Sequence, residues 1–281
     1  MDWPNRIEGT IEADEVILGR GVVVEKGVVI RGKHGPMKRL VLGDFCYIGE
    51  NTKILCPEFR LGDYSKLNAY SFCHGQEELQ IGRNCWIGGN VVLDSQGGLC
   101  IDDGVGIGAH SQIWTHCQFG DIVEGSRFFS RNYMHIGRDA WFVGCCLVSP
   151  VKVAAKSMAL LGSVITKDME ENRIYGGLSV DLTEKMGGGQ FREHSIDEKA
   201  GILRNLIRIF EQQNPCFVGN QLIVVRDTSE IWGLPAGFTV FDVSRRTYTQ
   251  TYSEVEVMFL KANTPLIKFT PEGKPPFVTP R

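Results

Sequence analysis

The sequence predicts a mainly β fold: short strands wound into a triangular coil, followed by a small α+β unit. Three observations predict it. An aliphatic residue recurs every six positions between Leu42 and Thr166, usually followed by Gly or Asp and then by a small residue four places after the aliphatic one. The residues that open successive coils, Leu42, Leu61, Ile81 and Ile101, lie 19, 20 and 20 positions apart. The period ends near Met186, where Gly187-Gly188-Gly189 breaks the chain before a helix-capping sequence.

The repeat units are Leu42-Gly43…Cys46, Ile48-Gly49…Thr52, Leu61-Gly62…Ser65, Ile81-Gly82…Cys85, Ile87-Gly88…Val91, Ile101-Asp102…Val105, Ile107-Gly108…Ser111 and Ile136-Gly137…Ala140. A period of six suits neither a helix nor simple strand alternation. It suits a short strand and a tight turn, with Gly or Asp where the backbone bends. No single repeat can bury its apolar face, so the repeats must stack. The step from Ile101 to Ile136 spans 35 positions, which places an inserted loop at 119–134. Beyond it the expected anchors are Phe142, Val148, Ala154, Leu160 and Thr166. A weaker coil comes first, at Val16, Val22 and Val28, with an insertion from Gly32 to Arg39.

The chain has 281 residues and a net charge of −3, which argues against a nucleic-acid or anionic-membrane partner. The N-terminal residues form no apolar signal region and no stretch approaches a membrane span, so a cytoplasmic location is expected. Nine cysteines include no C-x-x-C pair. Cys46, Cys85, Cys117 and Cys146 fall in the small slot of the repeat and Cys73 at an anchor, where cysteine serves as a small buried hydrophobe.

Residues 187–281 read as a separate small α+β unit. Ser195 and Glu198 form a capping box, and Ile196, Ala200, Leu203, Ile207 and Phe210 form one apolar stripe that Asn214-Pro215 ends. Strand-like runs follow at Leu222–Val225, Phe238–Val243 and Val255–Leu260. The Pro-rich tail from Pro271 is expected to be extended.

Residues 10 to 186 resemble the left-handed parallel β-helix of the hexapeptide-repeat acyltransferase family. The likeness is tightest at Ile107–Cys117 and at Leu161–Lys185, where Gly162-Ser163-Val164-Ile165-Thr166-Lys167-Asp168 and Tyr175-Gly176-Gly177-Leu178 look like the family's closing segment. The resemblance implies an acetyltransferase that moves an acetyl group from acetyl-coenzyme A to a hydroxyl or amine of a sugar or nucleotide-sugar. It also implies a homotrimer with sites between subunits. No metal is expected, since the cysteines form no C-x-x-C pair. Two departures stand out: Gly177-Leu178-Ser179 lacks the family's frequent Gly-Val-Pro, and Lys152 to Ser157 lacks Ile-Gly steps.

His116 is the candidate general base. It ends Ile113-Trp114-Thr115-His116, immediately before the inserted loop, and loops on a rigid scaffold are where sites are built. The resemblance agrees, since many sugar acetyltransferases of the family carry a histidine there. Coil register puts Asp94 under Trp114 and Gln96 under His116, so either could orient the imidazole. Asn90 or a residue of a neighbouring subunit are further choices. Trp114, Arg127, Arg131 and Tyr133 supply aromatic faces and planar cations suited to a sugar or its phosphate. Phe128 and Phe129 could instead pack the loop on a neighbouring subunit. The positions matching the family's coenzyme A groove are Trp141, Gly144, Leu161, Gly162, Thr166 and Lys167. Two rival readings are a β-helix scaffold without a site and a zinc enzyme like the β-helix carbonic anhydrases. In the latter, two ligand histidines stand five apart, whereas His110 and His116 stand six apart.

Overall fold

The computed structural model describes residues 2–118, 129–219, 221–231, 237–264 and 266–280. The chain forms two compact units. One holds Trp3–Phe191 with Phe277–Arg281, and the other holds Met1–Asp2 with Arg192–Pro276.

The larger unit is a left-handed parallel β-helix with three flat faces. Its first face is a ten-stranded sheet, its second an eight-stranded sheet and its third a six-stranded sheet. The register is the one the period requires. On the third face Leu42 pairs with Leu61 and Ile81 with Ile101, and Ile101 pairs in turn with Ile136 across the insertion. On the first face Ile48, Leu67, Ile87, Ile107 and Phe142 stack. On the second face Ile54, Cys73, Leu93, Ile113 and Val148 stack. All of these side chains point into the prism and are buried. Each fully buried aliphatic contributes about 1.5–3 kcal/mol, so the stacked files are the main source of stability.

The glycine after each anchor has a different reason from the one expected. A Cβ at Gly43 would lie 2.6 Å from the Asp63 backbone nitrogen, and one at Gly62 would lie 2.5 Å from the Gly82 carbonyl carbon. Stacked coils approach too closely there for a side chain. The left-handed backbone at the corners falls on other residues, among them Phe45, Tyr64, Asn84 and Asn90. The aspartates bridge coils: Asp44 accepts from Arg20 N, Asp63 from Asp44 N and Asp103 from Arg83 N, at 2.8, 2.8 and 2.7 Å.

Two expected registers are corrected. In the first coil the anchors are Leu18, Val24 and Ile30, which pair with Leu42, Ile48 and Ile54. Val22 and Val28 fill the small slots, and Val16 is exposed. After Val148 the anchors are Val153, Ala159 and Ile165 rather than Ala154, Leu160 and Thr166. One residue fewer at the Ser149-Pro150 corner shifts every following side chain by one place, and a strand slipped by one turns its other face to the core. Cys117 is a further correction. It is exposed because its strand, His116–Gln118, leaves the prism and pairs antiparallel with Phe129–Arg131.

The smaller unit packs a four-stranded sheet with two helices. Helix α1 (Ile196–Gln213) has both bonds of the Ser195–Glu198 capping box and buries Ala200, Leu203, Ile207 and Phe210. The run expected as a strand at Val255–Leu260 is instead helix α2 (Glu254–Asn263). Ser253 caps it by accepting from Glu256 N, and short apolar runs do not distinguish strand from helix by period. Phe241 packs against Phe259 and Phe269 at ring distances of 5.6 and 5.2 Å to form the core of this unit. No helix among the described residues is long and apolar enough to cross a membrane.

Candidate active site

The site grows out of the second face, where Phe72–His74, Val92–Asp94 and Gln112–Ile113 lie in consecutive coils. His74 pairs with Asp94 in register. The next partner would be Trp114, but the ladder stops at Ile113. Asp94 takes over the pairing. Its Oδ2 accepts from Thr115 N at 2.8 Å and from Thr115 Oγ1 at 2.6 Å, and it faces His116 Nδ1 at 2.8 Å.

Asp94 is fully buried. An uncompensated carboxylate there would cost several kcal/mol, and the donors converging on Oδ2 offset that cost. They also fix the imidazole. With the carboxylate accepting, the proton between the groups belongs to Nδ1, which leaves Nε2 with a lone pair. The His116 side chain is 25 % exposed, so the ring is anchored at one nitrogen and reachable from outside. Thr115 braces the turn: its Oγ1 accepts from Gly97 N at 2.9 Å and its carbonyl from Asn132 N at 3.0 Å. Trp114 stands edge-on to His116 at 6.0 Å.

The structure separates the two orienters that register left open. Asp94 reaches His116 from the coil below. Gln96 instead donates its backbone N–H to Asp94 Oδ1 at 3.3 Å and offers its carbonyl to Arg131 Nε at 2.6 Å. Arg131 also pairs with Glu77 at 2.9 Å, so its guanidinium clamps the base of the inserted loop. Tyr133 is half-buried; a Cβ at Gly98 would lie 3.0 Å from its ring. Its hydroxyl bonds the Cys100 thiol. Arg127 and Phe128, and the side chain of Phe129, lie outside the described residues.

The repeat count does not single out His74, yet its Nδ1 lies 3.8 Å from Asp94 Oδ1. The missed signal is the spacing itself. His74, Asp94 and Trp114 stand 20 apart, as do the core residues Cys73, Leu93 and Ile113 beside them.

No protein-family model matches the chain. It is 26 % identical over 192 residues to the bifunctional protein GlmU of Clostridium botulinum (strain ATCC 19397 / Type A), covering 67 % of this chain and 34 % of that protein. It is 26 % identical over 211 residues to the bifunctional protein GlmU of Listeria monocytogenes serovar 1/2a (strain ATCC BAA-679 / EGD-e), covering 67 % of this chain and 43 % of that one. The chain resembles the hexapeptide-repeat acyltransferases. It spans about a third of the length of the first of these relatives, at 34 %. Among solved structures, LpxA from Acinetobacter baumannii aligns over 73 % of this chain and 81 % of its own, at 14 % identity and a TM-score of 0.37. The fold therefore rests on the ladder itself.

The positions expected to hold the acyl donor lie further along the prism. Trp141 is 43 % exposed on the first face, in a row with the exposed Trp86. Gly106 stands between them; a Cβ there would lie 3.0 Å from the Trp141 ring. Leu161, 69 % exposed, covers Gly144, and Gly162 N donates to the Gly144 carbonyl at 2.9 Å. Thr166 N donates to Ser179 Oγ at 2.9 Å, and Lys167 is exposed. These residues form an apolar, solvent-facing edge with a cation beyond it.

One further set of metal-type side chains occurs among the described residues. The ligand atoms of Cys100, Asp102 and His135 lie within 4.8 Å of one another. Burial pushes the Cys100 thiol up to about 12, so in the free protein it is a thiol and not a thiolate.

Proposed function

We propose that the chain transfers an acetyl group from acetyl-coenzyme A to a hydroxyl or amine of a sugar or nucleotide-sugar, with His116 as general base. The observation that carries this reading is the Asp94–His116 pair at 2.8 Å, set at the mouth of an inserted loop on a rigid prism.

The acceptor's oxygen or nitrogen attacks the thioester carbonyl, and its proton passes to His116 Nε2 as the new bond forms. The resulting imidazolium lies against a buried carboxylate, which stabilises the charge. Collapse of the tetrahedral intermediate breaks the carbon–sulfur bond. His116 then returns the proton to the leaving thiolate, releasing coenzyme A as a thiol. No covalent acyl-enzyme is required. Cys117 stands beside His116 in sequence, but neighbours on a strand face opposite ways, which disfavours a thiol relay.

On this reading coenzyme A lies along the edge formed by Trp141, Gly144, Leu161 and Gly162, with Lys167 toward a phosphate. Trp114 and Tyr133 line the acceptor side. Arg131 shapes that side through its clamp on Glu77. The exposed apolar edge is covered in a homotrimer with three equivalent sites.

The test is thiol release from acetyl-coenzyme A across a panel of sugars, sugar phosphates and nucleotide-sugars, for wild type and His116→Ala. Acceptor-dependent release that falls by about 10²-fold or more in the variant supports the reading. Equal rates would remove His116 from the mechanism. No turnover together with no coenzyme A binding by calorimetry would favour a scaffold.

A further inference from the structure

The proposed reaction leaves one imidazole of the second face unused. We propose that His74 binds the acceptor, turning its Nδ1–H to the less occupied oxygen of Asp94 and receiving at Nε2 a hydrogen bond from a second hydroxyl or amine of the sugar. This inference rests on the acetyl-transfer reading and names one subsite within it.

The two oxygens of Asp94 are unequally supplied. Oδ2 faces three donors within 2.8 Å. Among the described residues Oδ1 has one long bond, from Gln96 N at 3.3 Å, and His74 Nδ1 at 3.8 Å. Buried carboxylate oxygens normally find donors. A shift of about 1 Å would bring His74 Nδ1 to ordinary hydrogen-bond distance. That bond fixes the neutral tautomer with the proton on Nδ1, so Nε2 becomes an acceptor.

The surroundings suit this role. His74 stacks on Phe72 at 4.6 Å, and Trp114 stands edge-on to both histidines, 6.1 Å from His74 and 6.0 Å from His116. The two imidazoles therefore flank one indole on the outer face. Their side chains are 27 and 25 % exposed, so both are reachable. Burial, followed by the nearby His116 and Lys33, holds the proton affinity of His74 down against the pull of Asp94. His74 thus stays neutral and leaves the charge of Asp94 to His116. The His74 carbonyl, not its ring, accepts from Ser95 N at 2.7 Å to hold the rung, so the ring is not needed for the coil.

Two imidazoles on one carboxylate then have distinct duties. His116 takes a proton from the attacking group, and His74 recognises a neighbouring polar group without taking a proton from it. An acceptor with several hydroxyls meets both, and a simple alcohol or amine meets only one.

The experiment uses the full chain, with His74→Ala and His74→Gln. Steady-state kinetics and calorimetry are run over the same acceptor panel, with UDP-N-acetylglucosamine and monodeoxy analogues of each acceptor that is used. In His74→Ala the acceptor KM is expected to rise roughly tenfold, the loss of one neutral hydrogen bond. The acetyl-coenzyme A KM and the pH profile of kcat should not move. One deoxy analogue that is poor for wild type should lose nothing further in the variant, and His74→Gln should recover part of the loss. A fall in kcat at unchanged acceptor KM, or acceptor constants equal to wild type for every analogue, would overturn the inference while leaving acetyl transfer standing. If wild type neither turns over nor binds any member of the panel, the acetyl-transfer reading fails and this inference fails with it.

Discussion

His116 lies 2.8 Å from Asp94, and His135 lies 2.9 Å from Asp102. Both pairs join adjacent coils of one prism, yet they are built differently. At the first, the carboxylate is fully buried, is held by Thr115, and meets the histidine at Nδ1. At the second, the carboxylate is 24 % exposed and meets Nε2. That Nε2 is closed off from solvent and lacks hydrogen-bond alignment despite the short distance. Distance alone therefore does not make a base. The first pair leaves Nε2 toward the outside, and the second turns Nε2 inward against a partly exposed carboxylate.

The largest effect that separates the pairs is catalytic. His116→Ala should lower kcat/KM by about 10²–10⁴-fold, the usual range for a lost general base. His135→Ala should leave it within about threefold, the scatter expected of a surface change away from the reacting groups. Thiol release under identical conditions reads both. A comparable loss in His135→Ala would mean that the wrong pair has been assigned.

Asp94→Asn sharpens the comparison because it keeps shape and removes charge. The amide must present either its oxygen or its nitrogen to a cluster of donors. Activity should fall by about 10²-fold or more through loss of the correct tautomer and of imidazolium stabilisation. Stability should fall by about 1–3 kcal/mol, because Thr115 and His116 then compete for a weaker acceptor. Urea unfolding beside kinetics separates the two losses. An active, fully stable Asp94→Asn would show that the buried carboxylate does neither job.

Much of the fold and of the site is legible because stacking makes the sequence nearly one-dimensional. From Leu42 to Ile113 each anchor predicts the next by addition. Legibility fails where a single residue changes the count. The short corner at Ser149-Pro150 exchanges Ala154, Leu160 and Thr166 for Val153, Ala159 and Ile165 in the core. Register arithmetic also places Gln96 beneath His116, and it misses that the ladder ends at Ile113 so that Asp94 can reach further. His74 escapes notice when addition runs upward from Asp94 and not downward. In the smaller unit no coil repeat cross-checks the local reading, so the apolar run Val255–Leu260 reads as a strand although Ser253 and Glu256 carry the same Ser-x-x-Glu signature as Ser195 and Glu198.

A smaller effect distinguishes His74 by pH. Burial lowers its pKa in the folded chain below the ordinary value, so the unfolded chain binds the proton more readily. The stability linked to neutral His74 is fully present above about pH 6.5, the ordinary histidine value. It is lost as pH falls from there through the lowered folded pKa. Replacing His74 with Gln removes this component, so wild type should lose more stability than the variant over that acidic interval. Urea midpoints measured at several pH values check the sign, and parallel curves would show that His74 carries no such linkage.

The smallest effect belongs to Asp102→Asn. Its partner His135 is 39 % exposed, and exposed ion pairs are screened and cost side-chain entropy to align. The expected change in stability is therefore about 0–1 kcal/mol, well below that of Asp94→Asn. Activity should stay at the wild-type rate. The contrast is sharp because the starting distances are almost equal, while burial, the supporting donors and the ring nitrogen engaged all differ. If the two Asn variants unfolded at the same urea concentration, neither the Thr115 bonds nor full burial would set Asp94 apart, and the two pairs would be one kind of contact after all.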